Sequence, residues 1–93
     1  MPSDLGPLWR DVIIVNELGL HARAAAKLAK LAQQATGAVR LQAGPERVDA
    51  KQVIDILTLA AGKGTPVKVE VESAADINTL DRIVSLITQG FGE

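Results

Sequence analysis

The chain has 93 residues and a formal net charge of −1, which fits one domain with a single modest core and does not indicate a nucleic-acid or anionic-membrane binder. It contains no cysteine, which excludes disulfides, thiolate chemistry and cysteine-based zinc sites and is compatible with a cytoplasmic location. No apolar run approaches the roughly 20 residues that span a bilayer, so we expect no membrane insertion.

The first half of the chain predicts one strand and one helix. Residues 1–10 are expected to form a loose leader, because they contain two prolines and a glycine. The β-rich apolar run 12–15 predicts a well-buried strand, and a loop over 16–20 follows it. The stretch 22–35 is rich in alanine, leucine and lysine, which are strong helix formers, and therefore predicts a helix.

The middle of the chain predicts a hairpin and a second helix. Residues 39–43 alternate with the period-two pattern of a half-buried strand, and 47–49 are a candidate return strand after a Gly-Pro turn. The helix predicted over 51–61 carries more apolar residues than one face can bury. We therefore expect Val53 and Ile54, near its start, to reach the surface; a core position for both is the alternative.

The last part of the chain predicts a strand and a third helix. Residues 67–71 alternate most regularly, and apolar residues at helical spacing run from Ile77 to Ile87. The resulting order β-α-β-β-α-β-α predicts an α+β fold, in which one antiparallel sheet carries helices on one face. A ferredoxin-like domain shares most of this order, so the pattern alone leaves the strand arrangement open.

His21 is the only histidine, and it falls at or next to the N-cap of the first predicted helix. Serine, threonine, aspartate and asparagine are the usual residues there, so histidine is a poor choice for stability alone. A helix N-terminus attracts anions through its unpaired N–H groups, and Arg23 adds a fork of donors that suits phosphate. These three features together favour phosphoryl chemistry on His21, against the alternative of a structural histidine and a solvated arginine.

Competing chemistries have weaker support in the sequence. A metal site needs three or four ligands, and no carboxylate lies beside His21 at ligand spacing, so we expect neither metal nor cofactor. No serine lies in a nucleophile-elbow context. The run Gly62-Lys63-Gly64-Thr65 lacks the first glycine of a phosphate loop and connects a helix to a strand, so we interpret it as a helix stop and a turn.

The run Leu18-Gly19-Leu20-His21-Ala22-Arg23-Ala24-Ala25 resembles the signature Gly-Leu-His-x-Arg-Pro-Ala of HPr, the phosphocarrier family of the phosphotransferase system. Element order and spacing from Val12 to Glu93 also match this family. The ending Gln89-Gly90-Phe91-Gly92-Glu93 is more similar to the nitrogen-related branch, NPr, than to the sugar-transport branch.

The resemblance implies one domain over residues 1–93, an open-faced β-sandwich whose four-stranded antiparallel sheet carries three helices on one face. It implies that enzyme I, charged by phosphoenolpyruvate, phosphorylates His21 on Nδ1, and that the phosphoryl group then passes to a histidine of a IIA-type protein. Arg23 and the backbone N–H groups of Ala22, Arg23 and Ala24 would hold the phosphate. The chain would be a monomeric cytoplasmic carrier and not an enzyme, since its partners supply the catalysis.

The resemblance also implies a docking surface on the first two helices, which would explain the surplus of apolar residues in the second. Its members would be Leu20, Ala25, Ala26, Gln52, Val53 and Ile54.

Two positions depart from the family pattern. Ala24 replaces the family proline, which is tolerated in a first helical turn because its missing N–H would be unpaired anyway. Alanine restores that N–H as a further donor to phosphate, so we expect function to survive. Gln52 stands where many relatives carry a regulatory serine, so we expect no serine-kinase control there.

Two other classes of function remain open from the sequence. One is a regulatory or interaction module that is never phosphorylated, in which His21 only packs at a helix end. The other is a small ferredoxin-like binding domain.

Overall fold

The computed structural model describes residues 7–93. Its strands are β1 (Trp9–Ile13), β2 (Val39–Ala43), β3 (Glu46–Asp49) and β4 (Pro66–Val71). Its helices are α1 (Ala22–Ala32), α2 (Val53–Thr58) and α3 (Ile77–Thr88), with short 3₁₀ turns at Ala74–Asp76 and Gly90–Gly92. The predicted order of elements is therefore confirmed.

The four strands form one sheet in the order β1-β4-β2-β3, and every neighbouring pair is antiparallel. The register places Leu41 of β2 opposite Val69 of β4 on one side and opposite Val48 of β3 on the other. A ferredoxin-like sheet has its first strand in the interior, in the order 4-1-3-2, whereas here β1 is an edge strand and β4 is an interior strand, so the strand order excludes the ferredoxin-like alternative. The α+β fold with four antiparallel strands and three helices is confirmed.

The first strand differs from its prediction in position and in burial. β1 begins at Trp9, so the expected loose leader was wrong for Trp9 and Arg10; residues 1–6 lie outside the described residues. Ile13 is 48% exposed and Val15 is 45% exposed, whereas the prediction buried the whole run. The reason is that helices cover only one face of the sheet, so alternate side chains point to the open face.

Both of the first two helices are shorter than predicted. α1 starts at Ala22 as expected but ends at Ala32 instead of near residue 35. α2 has only six residues, and Ile56 is the only one that is fully buried. Beyond it the chain turns away at Ala60, whose φ of 49° lies in the left-handed region and ends the helix.

The core lies between the sheet and the helices and is almost entirely aliphatic. Phe91 is its only aromatic member among the described residues, and it is 1% exposed. The inward face of α1 is largely alanine, which lets the helix backbone approach its neighbours closely. Its buried positions are Ala24, Ala25, Leu28, Ala29 and Ala32.

A buried carboxylate connects the end of α1 to the start of α3. Asp76 is 4% exposed and accepts hydrogen bonds from the backbone N–H of Thr36 at 2.9 Å and of Gly37 at 2.8 Å. Ser73 caps the following turn locally, through the Ala75 N–H at 3.1 Å, whereas Asp76 makes no local capping bond. The N–H donors of Gly37 and Thr36 lower the pKa of Asp76 below its ordinary value.

We expect Asp76→Asn to lower the Tm at neutral pH by roughly 5 °C, because an amide is a weaker and only partly suitable acceptor for two N–H groups. The folded-state pKa of Asp76 is depressed, so its contribution is present above the unfolded pKa and is lost as pH falls through the folded pKa. Thermal melts from pH 7 to pH 3 should therefore show the two proteins converging in acid. Asp81→Asn, at an exposed position of α3, is the control, and equal Tm values for all three proteins at neutral pH would contradict this role.

Candidate functional site

His21 is the N-cap residue of α1, as the sequence predicted. Its backbone is extended, with φ −72° and ψ 177°, and its carbonyl accepts the Ala25 N–H at 2.8 Å. Its ring nitrogen Nδ1 accepts a hydrogen bond from the Arg23 N–H at 3.3 Å. The imidazole therefore caps the helix in place of the usual side-chain oxygen. Its hydrogen bond is long, so a better acceptor can replace Nδ1 as the partner of the Arg23 N–H.

The opposite edge of the ring contacts a carboxylate that the sequence did not indicate. Nε2 of His21 donates to Oε2 of Glu93, whose Oε1 accepts the side-chain amide N–H of Asn16 at 3.1 Å. The same Asn16 nitrogen donates to the Gly19 carbonyl at 2.9 Å. The bonds from His21 and then Asn16 lower the pKa of Glu93, so the carboxylate is ionised at neutral pH.

The segment that carries Glu93 is anchored by two further contacts. Phe91 is buried in the core, and its carbonyl accepts a hydrogen bond from Nζ of Lys27 at 2.7 Å. The backbone of Phe91 has a φ of 60°, which turns the chain back toward α1. His21 and Glu93 are 72 positions apart, and no local pattern in the sequence connects residues at that separation.

The phosphate-binding candidates divide into surface and buried positions. Arg23 is exposed, and within residues 7–93 its guanidinium takes part in no ion pair. The N–H groups of Ala22 and Ala24 donate to no acceptor in that part of the chain. Ala22 is exposed, but Ala24 is completely buried, so its N–H does not face solvent as expected for a phosphate donor.

A shallow depression of about 590 Å³ marks the surface beside the ring. It is lined by Leu18, His21, Ala22, Arg23 and Glu93. The side chain of His21 is 25% exposed there, so the ring is accessible to a partner protein without being fully solvated.

The candidates for partner binding are only partly at the surface. Ile54 is 72% exposed, Ala26 and Gln52 are exposed, and Val53 is half-buried at the edge of the core. The assignment of Leu20 and Ala25 to a docking surface was wrong, because they are 5% and 0% exposed. Ala25 lies on the inward face of α1, and Leu20 is buried in the loop before His21.

The loop that presents His21 is fixed to the turn after α2. The Leu20 N–H donates to the Ala61 carbonyl at 2.9 Å, which brings the two backbones into contact. Gly19 has a φ of 63°, and a Cβ at this position would lie 2.4 Å from the Ala61 oxygen and 2.7 Å from Cα of Gly62. Only glycine fits there without displacing the loop.

The described residues contain neither a metal-binding cluster nor a membrane-spanning helix. No group of three or more His, Cys, Asp or Glu side chains within residues 7–93 could hold a metal ion. None of the helices in that range has the length and apolar character needed to cross a bilayer.

Comparison with known proteins identifies relatives over almost the whole chain. The family model described as "PTS HPr component phosphorylation site" matches residues 9–89. The phosphocarrier protein HPr of Cupriavidus necator is 41% identical over 86 residues, covering 92% of this chain and 97% of the relative. The phosphocarrier protein NPr of Shewanella violacea is 36% identical, covering 92% and 94%. These identities do not single out the nitrogen-related branch.

A solved structure shows the same fold. The crystal structure of an HPr from Thermoanaerobacter tengcongensis superimposes with a TM-score of 0.86 at 29% identity, covering 91% of this chain and 96% of that one. The overall fold of this chain is therefore one that is known from experiment.

We expect Gly19→Ala to destabilise the chain by at least 2 kcal/mol, because it combines left-handed backbone strain with a collision against the Ala61 carbonyl. Gly44→Ala is a matched control: its φ is 58°, but nothing lies within 4 Å of the added Cβ, so only the strain remains, about 1 kcal/mol. Urea unfolding measures both. Equal losses in the two variants would show that Gly19 is not under steric constraint.

Proposed function

This chain belongs to the HPr family of phosphocarrier proteins, and we propose that it accepts a phosphoryl group on Nδ1 of His21 from a phosphorylated enzyme I and passes it to a histidine of a IIA-type protein. We also propose that the whole chain acts as one domain in the cytoplasm, with catalysis supplied by its partners. The observation that supports this best is the lone pair of His21 Nδ1, which faces the N-terminus of α1.

The hydrogen bonds of the ring suit a nucleophilic role for Nδ1. The Arg23 N–H can only donate, so Nδ1 carries its lone pair and the ring proton is on Nε2. In the transfer, this lone pair forms the N–P bond while the bond between phosphorus and the donor protein breaks, and the electron pair leaves with the donor. Attack needs an imidazole whose Nδ1 carries no proton, because a proton there would occupy the lone pair.

The helix N-terminus and Arg23 suit a phosphate that must be released again. On phosphorylation the Arg23 N–H can exchange its 3.3 Å bond to Nδ1 for a shorter one to a phosphoryl oxygen. Each interaction of an exposed anion with a helix N-terminus contributes about 0.3–1 kcal/mol, and the exposed guanidinium adds a mobile charge. Such modest stabilisation holds the phosphoryl group without trapping it.

The partner proteins would dock on exposed residues of the loop before His21, of α1 and of the start of α2, which we call the docking surface: Leu18, Ala26, Gln52 and Ile54. Leu18 and Ile54 are 69% and 72% exposed, the highest values among the large hydrophobic side chains of the described residues. Exposed apolar side chains next to a reactive group are typical of a contact surface that is covered only transiently. The same surface would serve donor and acceptor in turn.

Labelling with radioactive phosphoenolpyruvate and enzyme I tests the proposed function. We expect base-stable, acid-labile label in the chain and none in His21→Ala. Arg23→Ala should accept label roughly tenfold more slowly, since it loses a charged donor to phosphate. Arg82→Ala, at an exposed position on α3, is the matched control and should behave as the wild type.

The same experiment decides between a carrier and an interaction module. If enzyme I becomes labelled but the chain does not, a module that is never phosphorylated is the better interpretation of the site.

The docking surface makes a separate prediction. Ile54→Ala should weaken the affinity for enzyme I roughly tenfold, because the isoleucine side chain loses most of its apolar contact in the complex. Ile13→Ala, on the open face of the sheet, is the control of identical chemistry and should leave affinity unchanged. Isothermal titration measures both, and an equal loss in the two variants would contradict docking through the start of α2.

A further inference from the structure

The two nitrogens of the His21 ring have neighbours of opposite hydrogen-bonding character. On one edge, the backbone N–H of Arg23 can only donate, and it lies 3.3 Å from Nδ1. On the other edge, the carboxylate of Glu93 contacts Nε2, and an ionised carboxylate can only accept. The tautomer with hydrogen on Nε2 satisfies both neighbours. The other tautomer would place two donors together at Arg23 and two acceptors together at Glu93.

The carboxylate of Glu93 is itself held in place from several sides. Asn16, which is 7% exposed, donates to its Oε1 and also to the Gly19 carbonyl, so the amide is fixed in one orientation. Phe91 anchors the backbone of the same segment in the core, and Lys27 holds the Phe91 carbonyl. The Glu93 side chain is only 24% exposed, so water competes weakly for its oxygens.

We propose that Glu93 is a positioning residue, whose carboxylate holds His21 in the tautomer with a free Nδ1 lone pair and stabilises the positive charge that the ring gains as Nδ1 binds phosphorus. The first half of this statement concerns the isolated chain, and the second half rests on the proposed function. Such a partner suits the charge that develops: when Nδ1 forms the N–P bond, the proton stays on Nε2 and the ring becomes an imidazolium. A carboxylate on the far nitrogen plays the same part for the histidine of a Ser-His-Asp triad.

Glu93→Gln is the sharpest variant, because the fixed amide of Asn16 determines how the new side chain orients. The glutamine oxygen must accept from Asn16, which turns its NH₂ group toward Nε2 of His21. A donor at that position favours the tautomer with hydrogen on Nδ1. We therefore expect the ring to change tautomer in Glu93→Gln and to lose most of its preference in Glu93→Ala.

Nitrogen-15 NMR of the ring measures the tautomer directly in the isolated chain, and His21 gives the only histidine signals. The wild type should show a protonated Nε2 and an unprotonated Nδ1 above neutral pH, with the pattern reversed in Glu93→Gln. Glu72→Gln, an exposed glutamate paired with Arg40, is the control and should leave the ring signals unchanged. Amide spectra of each variant confirm that the fold is retained.

The rate of phosphorylation by enzyme I then tests the chemical consequence. If the reactive tautomer falls to about a tenth of the population, the initial rate should fall by about tenfold in Glu93→Gln. An unchanged tautomer in a folded Glu93→Gln variant overturns the proposal, as does an unchanged rate despite a reversed tautomer. If the tautomers behave as expected but the wild type accepts no phosphoryl group, the positioning by Glu93 stands and the proposed function fails.

Discussion

The hydrogen bond between the Arg23 N–H and Nδ1 of His21 is the interaction on which the site depends. The first N–H groups of any helix lack partners inside the helix, and a side-chain oxygen normally satisfies one of them. Here a ring nitrogen does so, which orients the imidazole plane and points its lone pair at the positive end of the helix. This cap is weaker than an aspartate cap would be. For that reason a phosphoryl oxygen can replace Nδ1 as the acceptor of the Arg23 N–H.

The rest of the fold keeps this helix terminus in place. Beyond the C-terminal end of α1, Asp76 binds the backbone at Thr36 and Gly37. At its N-terminal end, the loop with Gly19 is pressed against the backbone of Ala61. The alanine-rich inner face brings α1 close to its neighbours, so the helix is fixed at both ends and along its length.

Local patterns predicted the elements but not the contacts between them. The alternation over 67–71 and the helix formers after His21 were sufficient to place a strand and an N-cap, because both depend on neighbouring residues. The half-exposed β1 was missed since an apolar run does not reveal that one face of the sheet is open. The early end of α2 depends on the backbone of Ala60, an alanine whose residue type gives no sign of a left-handed conformation.

In the site too, the sequence predicted the residues that are neighbours in the chain but not the contacts that packing creates. His21 and Arg23 are close in sequence, so their spacing relative to the helix start could be interpreted directly. Leu20 and Ala25 were assigned to the surface from the family resemblance, which does not specify the burial of each residue in this chain, and they are buried. Asn16 and Glu93 come together only through the packing of the last turn of chain against α1, which no short motif encodes.

The most direct measurement is an NMR comparison of the chain before and after phosphorylation, following the phosphorus–nitrogen coupling of the ring and the amide proton of Arg23. Exchange of the cap from nitrogen to a phosphoryl oxygen predicts coupling to Nδ1 and a downfield shift of the Arg23 amide that exceeds every other shift in α1. Coupling to Nε2, or an Arg23 amide proton whose chemical shift does not change, would contradict this exchange of acceptors.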